Sequence, residues 1–129
     1  MLTSTVAAIS TGGNNTGINI IRISGENSKK IIDKIFTSAD KLGHQKIVYG
    51  KIKEDDRILD EVLVSYFKAP NSFTGEDVCE INCHGGRRIT LDILELVLKY
   101  GAELADRKDV MTESIGVEPR RRVVIKLKR

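Results

Sequence analysis

The chain of 129 residues contains no tryptophan, two cysteines, two prolines, two methionines and two histidines. Each shortage excludes something. Two cysteines cannot supply the disulfide framework of a small secreted domain. With three phenylalanines and three tyrosines as its only aromatics, the sequence lacks the stacking strand on which single-stranded RNA modules lay their bases. No stretch approaches the roughly 18 consecutive apolar residues that span a bilayer. The opening Met1-Leu2-Thr3-Ser4-Thr5 has no basic segment ahead of an apolar one, so no secretory signal is expected and the cytoplasm is the expected compartment. A G-x-x-x-x-G-K-[ST] loop is missing too, so nothing cradles a nucleoside triphosphate in the P-loop manner.

What is present fits one globular domain: 40% hydrophobic and 30% charged residues in a length typical of a single unit. The net charge of +3 is unevenly placed. Residues 119–129 hold Arg120, Arg121, Arg122, Lys126, Lys128 and Arg129 and no acid, which leaves 15 basic against 18 acidic residues in residues 1–118. The body is mildly acidic and carries a basic tail. Only the tail offers the concentrated positive charge that phosphate binding needs.

Along the chain, residues 3–10 read as a short strand, and the β-branched run of residues 18–24 as a buried one. Asn27 or Ser28 can cap a helix in which Ile31, Ile32, Ile35 and Phe36 recur at helical spacing. Residues 46–53 and 58–67 form a hairpin across Glu54-Asp55-Asp56. Residues 78–83 alternate, with Val78, Glu80 and Asn82 on one face and Cys79, Ile81 and Cys83 on the other. Residues 87–100 make the clearest helix, ended by Gly101. Residues 106–118 show no useful period, and residues 122–128 suit a strand with a basic outer face. The expected fold is α+β, a mixed β-sheet with helices packed on one face.

Three groups of residues invite a chemical reading. Cys79, Cys83 and His84 suggest a metal, but residues four apart on a strand lie roughly 13 Å from one another. Neither one zinc ion nor a disulfide can span that, so the cysteines are expected to pack as small core residues. Gly85-Gly86 before Arg87-Arg88 opens a helix, where free N–H groups favour an anion, although glycine is also ordinary at such a junction. Arg22, inside Ile20-Ile21-Arg22-Ile23, and Glu80, between Cys79 and Ile81, are charges within strands. Such charges are solvated, paired with each other, or bound to a ligand. In the last case the carboxylate receives an amidine-like edge such as that of a pterin. The guanidinium then holds a carboxylate or stacks on a ring.

The run from Asn71 to Gly86, Asn-Ser-Phe-Thr-Gly-Glu-Asp-Val-Cys-Glu-Ile-Asn-Cys-His-Gly-Gly, closely resembles the N-terminal domain of the bacterial tRNA modification GTPase family (MnmE/TrmE). So do Arg22-Ile23-Ser24-Gly25, Asp60-Glu61-Val62-Leu63-Val64, Lys68-Ala69-Pro70 and Lys99-Tyr100-Gly101-Ala102. The resemblance covers about residues 3–105. It implies a fold related to the tetrahydrofolate-binding domain of one-carbon enzymes, spanning residues 1–105, followed by a divergent basic tail over residues 106–129.

The resemblance further implies a homodimer that binds a formyl- or methylene-tetrahydrofolate, with Arg22 and Glu80 matching family folate contacts. A flavin-containing partner (MnmG/GidA) and wobble-uridine modification of tRNA come with it. No catalytic residue and no metal is assigned. The helical domain, the GTPase domain and the C-terminal cysteine motif of the family are absent here, so GTP hydrolysis by this chain alone is not expected. Where the family continues Glu-Pro-Gly-Glu-Phe-Thr-Lys-Arg-Ala-Phe, this chain reads Asp106-Arg107-Lys108-Asp109-Val110, and the lysine of that motif has no counterpart. The alternative reading is a non-catalytic docking and dimerisation domain whose tail touches RNA weakly.

Overall fold

The computed structural model describes residues 5–11, 19–72, 74–105 and 122–123. Strands β1 (Val6–Thr11) and β2 (Asn19–Ser24) precede helix α1 (Ser28–Ile35) and strand β3 (Phe36–Thr37). Strands β4 (Lys46–Glu54), β5 (Arg57–Phe67) and β6 (Val78–Cys83) lead to helix α2 (Gly86–Lys99), and β7 (Glu103–Leu104) and β8 (Arg122–Val123) follow. The sheet runs β3-β4-β5-β6-β2-β1-β7, with β8 also pairing β1. Every pairing is antiparallel except β1 with β7. This is the mixed α+β sheet that the hydrophobic patterning implies.

Alternation along the strands separates two faces. Ile21, Ile23, Val62, Val64, Cys79, Ile81 and Cys83 join the apolar cluster that also takes Ile31, Ile32 and Ile35 of α1 and Ile93, Leu94 and Val97 of α2. Both helices lie on that face. The side chains between them in sequence, such as Arg22, Leu63, Ser65, Glu80 and Asn82, fall on the opposite face. Among the described residues no helix is long and apolar enough to cross a membrane.

Two details depart from the sequence expectation. Phe36 continues the apolar spacing of α1, yet it has φ −114° and ψ 130° and begins β3. Its ring lies over Gly50, where an added Cβ would sit 2.5 Å from the ring and 2.4 Å from the Thr37 carbonyl oxygen. Close strand approach at Gly50 therefore overrides the helical stripe. The expected strand over residues 122–128 is present at Arg122–Val123, paired antiparallel with Ile9 and Ser10. Residues 124–128 and the segment 106–118 lie outside the described residues.

Cys79 and Cys83 are fully buried and unlinked, packed in the core as expected. Burial pushes both thiols up to about 12, from an ordinary value of 9.0. A thiol that stays protonated longer in the folded chain gives it extra bound protons between those values. Stability is thus intact below about pH 9 and falls as pH rises towards 12, by up to about 1.4 kcal/mol per pH unit for each thiol. Urea unfolding between pH 8 and pH 10.5 should show a steeper alkaline loss for the wild type than for Cys79→Ala/Cys83→Ala. Equal slopes would remove this account.

Candidate functional site

The helix-free face is organised in rows set by strand register. In one row Ala8 stands opposite Arg22, Arg22 opposite Glu80, Glu80 opposite Ser65, and Ser65 opposite Ile47. The next row places Ile20, Asn82, Leu63 and Tyr49 side by side. On the other side lie Ser24, Val78 and Phe67. Arg22 and Glu80, distant in sequence, are therefore cross-strand neighbours on adjacent strands.

They are also in direct contact. Arg22 Nε donates to Glu80 Oε2 at 2.7 Å and its Nη2 lies 2.6 Å from the same oxygen. The side chains are 11% and 16% exposed, so the pair is mostly withdrawn from water. Of the readings open to two strand charges, mutual pairing is realised, and no hollow separates the two groups. The two contacts that Arg22 makes with Glu80 fall on Oε2, and Oε1 receives none among the described residues. A ligand that came to Glu80 would meet one acceptor oxygen rather than the two of an unpaired carboxylate.

One row away the Asn71–Gly86 motif is fastened to β2. The Ser24 hydroxyl donates to Glu76 Oε1 at 2.9 Å and lies 2.8 Å from Thr74 Oγ1. Since a hydroxyl has one proton, Thr74 is the donor to Ser24. Gly25 N–H donates to the Asp77 carbonyl at 2.8 Å, and Asp77 Oδ1 accepts from Ala69 N–H at 2.8 Å. The Ser72 hydroxyl closes the loop on the Glu76 carbonyl. Several segments that carried the family resemblance thus meet in space.

The start of α2 provides a second such meeting. Asp60 Oδ2 accepts from the N–H groups of His84 and Gly85 at 2.8 and 3.0 Å. The sequence leaves this junction open between an anion site and an ordinary glycine turn, and the chain's own carboxylate holds the two amides that lead into the helix. Beside it, Tyr49, Asp60, Glu61, Val62, Leu63 and His84 line a cavity of about 420 Å³. The Tyr49 hydroxyl is raised above its usual pKa, first by its hydrogen bond to Glu61.

Sequence reasoning singled out Arg22 and Glu80 and missed Asp60, Ser65 and the Ser24–Thr74–Glu76 bonds. Ser65 did leave a signal, because it is the lone polar residue of Val62-Leu63-Val64-Ser65-Tyr66-Phe67. Asp60 left little, since its partners lie 24 and 25 positions away.

Comparison with known proteins follows the same segments. Residues 5–109 match the family model described as GTP-binding protein TrmE N-terminus. The chain is 49% identical over 109 residues to the tRNA modification GTPase MnmE of Alkaliphilus oremlandii, covering 79% of this chain and 24% of that protein. For the MnmE of Thermoanaerobacter pseudethanolicus the identity is 50% over 113 residues, covering 82% and 25%. For that of Clostridioides difficile it is 46% over 107 residues, covering 79% and 23%. The chain spans about a quarter of the length of the curated relatives it matches. Because the family model takes in the whole sheet from β1 to β7 and both helices, the chain belongs to the TrmE N-terminal domain family.

Proposed function

We propose that this chain is the tetrahydrofolate-binding and homodimerisation module of a tRNA modification GTPase, serving wobble-uridine modification in the cytoplasm. The observation that carries the ligand reading is the Arg22–Glu80 pair on the helix-free face, with Glu80 Oε1 left as an acceptor. A sheet does not need an ion pair for its stability, and a mostly buried one costs desolvation that apolar residues avoid. A carboxylate held in place by an arginine suits an N–H-bearing heterocycle such as a pterin, because a fixed charge needs no reordering when the ligand arrives.

In this reading Glu80 receives the pterin edge. Arg22 orients the carboxylate for the ligand. A formyl- or methylene-tetrahydrofolate, when bound, supplies a one-carbon unit for transfer. The chain's residues bind and orient it, and none is assigned a bond-making role. GTP hydrolysis and the flavin-containing partner (MnmG/GidA) belong to the whole assembly.

Dimerisation is supported by the same face. Ile47 is 65% exposed and Tyr49 53% exposed, next to Leu63, which is a large apolar presence for a face that neither α1 nor α2 covers. A second copy laid on this face would shield these residues.

Calorimetric titration with 5-formyl-tetrahydrofolate tests the ligand reading. The wild type should bind, and Glu80→Ala should bind at least roughly tenfold more weakly, the loss expected for a hydrogen bond to a charged group. Absence of binding by the wild type overturns the reading. Equal affinity in the variant overturns the role of Glu80. Sedimentation of the same samples checks the dimer.

A further inference from the structure

We infer that Ser65 is a third ligand-contacting group of this site, its hydroxyl bonding the flat heterocycle beside the atom that Glu80 Oε1 holds; this rests on the folate reading above. Ser65 stands directly opposite Glu80 in the β5–β6 register, where paired side chains on one face have β-carbons about 5 Å apart. Arg22 occupies the β2 side of the Glu80 carboxylate. Ser65 occupies the β5 side, so a ligand reaching Glu80 past the ion pair passes over it.

The serine is otherwise hard to account for. It is 6% exposed, and among the described residues its hydroxyl has no hydrogen-bond partner. Its neighbours in the strand are Leu63, Val64, Tyr66 and Phe67, and a β-branched apolar residue would serve strand packing better. The buried hydroxyl without a partner among the described residues is that of Ser28, so the Ser65 oxygen is not sealed from solvent and a polar ligand can reach it beside Glu80.

The same contact resolves a problem of orientation. With Glu80 Oε2 already taken twice by Arg22, the carboxylate offers one point of attachment, about which a flat ring can swing. A second hydrogen bond from Ser65 fixes its angle. It also turns the ring towards Leu63 and Tyr49, one side-chain row away, where the cavity of about 420 Å³ opens. The hydroxyl both donates and accepts, so it can meet an amino or an oxo group on the ring edge.

The test titrates 5-formyl-tetrahydrofolate into the 129-residue chain as wild type, Ser65→Ala, Ser65→Thr and Glu80→Ala, with thermal melts confirming that each is folded. Ser65→Ala is expected to weaken binding by roughly three- to tenfold, the span of one hydrogen bond, and Ser65→Thr, which keeps the hydroxyl, by less than about twofold. If Ala and Thr both bind like the wild type while Glu80→Ala is weakened, the inference is wrong and the folate reading stands. Equal weakening by Ala and Thr points to packing and also overturns it. No binding by the wild type overturns the folate reading itself, and with it the role of Ser65.

Discussion

Gly25→Ala is expected to lower the free energy of unfolding by about 4 kcal/mol, among the largest losses available from a single methyl group in this chain. Gly25 turns the chain from β2 into α1 with φ +141°, a conformation that any side chain strains by roughly 1–3 kcal/mol. The space is also occupied. An added Cβ would lie 2.5 Å from Thr5 Oγ1 and 2.6 Å from Thr5 Cα, and overpacking against backbone adds about 1–3 kcal/mol more. Neither atom can step aside at low cost, because the Thr5 carbonyl accepts from Glu103 N–H at 2.8 Å and its hydroxyl from Asn27 N–H at 3.1 Å. Urea denaturation measures the loss. A change below about 1 kcal/mol would mean that the β2–α1 corner adapts freely, and the tight contact described for Gly25 would be wrong.

The Arg22–Glu80 pair gives the second large effect, and it separates stability from binding. Glu80→Ala should cost about 2–3 kcal/mol, because it leaves a guanidinium, 11% exposed, without its carboxylate. The double replacement Arg22→Met/Glu80→Leu should recover most of that loss, since apolar residues of similar volume avoid the desolvation of both charges. Both proteins should nevertheless lose affinity for 5-formyl-tetrahydrofolate. Denaturant midpoints measured beside calorimetric titrations decide the matter. A double variant as unstable as Glu80→Ala would show that the pair stabilises the sheet outright. A double variant that still binds would detach the ligand from these residues.

Much of this architecture was legible in the residues. The alternation of Val78-Cys79-Glu80-Ile81-Asn82-Cys83 assigned each side chain to its face, because a strand has a period of two whatever surrounds it. Helix α2 was plain for the corresponding reason, its apolar residues recurring at helical spacing up to Gly101, whose φ is +128°. Phe36 was misassigned because spacing alone cannot register a strand that must close over Gly50. Arg22 and Glu80 were found because a charge inside a β-branched run has to be explained. That they touch was beyond sequence, since two charges on separate strands meet only if the register brings them together. Ser65 escaped notice since small polar residues are common in strands, and its oddity is one of burial, which requires the third dimension.

Asp60 carries a consequence of another kind. Strand β5 has a register shift against β4 between Ile52 and Lys53, and beyond it Asp60 accepts from the two amides, His84 and Gly85, that lead into α2. If β5 slid by one residue, Leu59 or Glu61 would stand there instead, and every other β5 side chain would change faces. Leu59 has nothing to offer the exposed amides, and in the native arrangement Glu61 instead reaches Tyr49. The aspartate thus acts as a vernier mark between hairpin and helix: only one alignment lets it hold the turn that leads into α2, and that alignment is the one that sets Ser65 against Glu80.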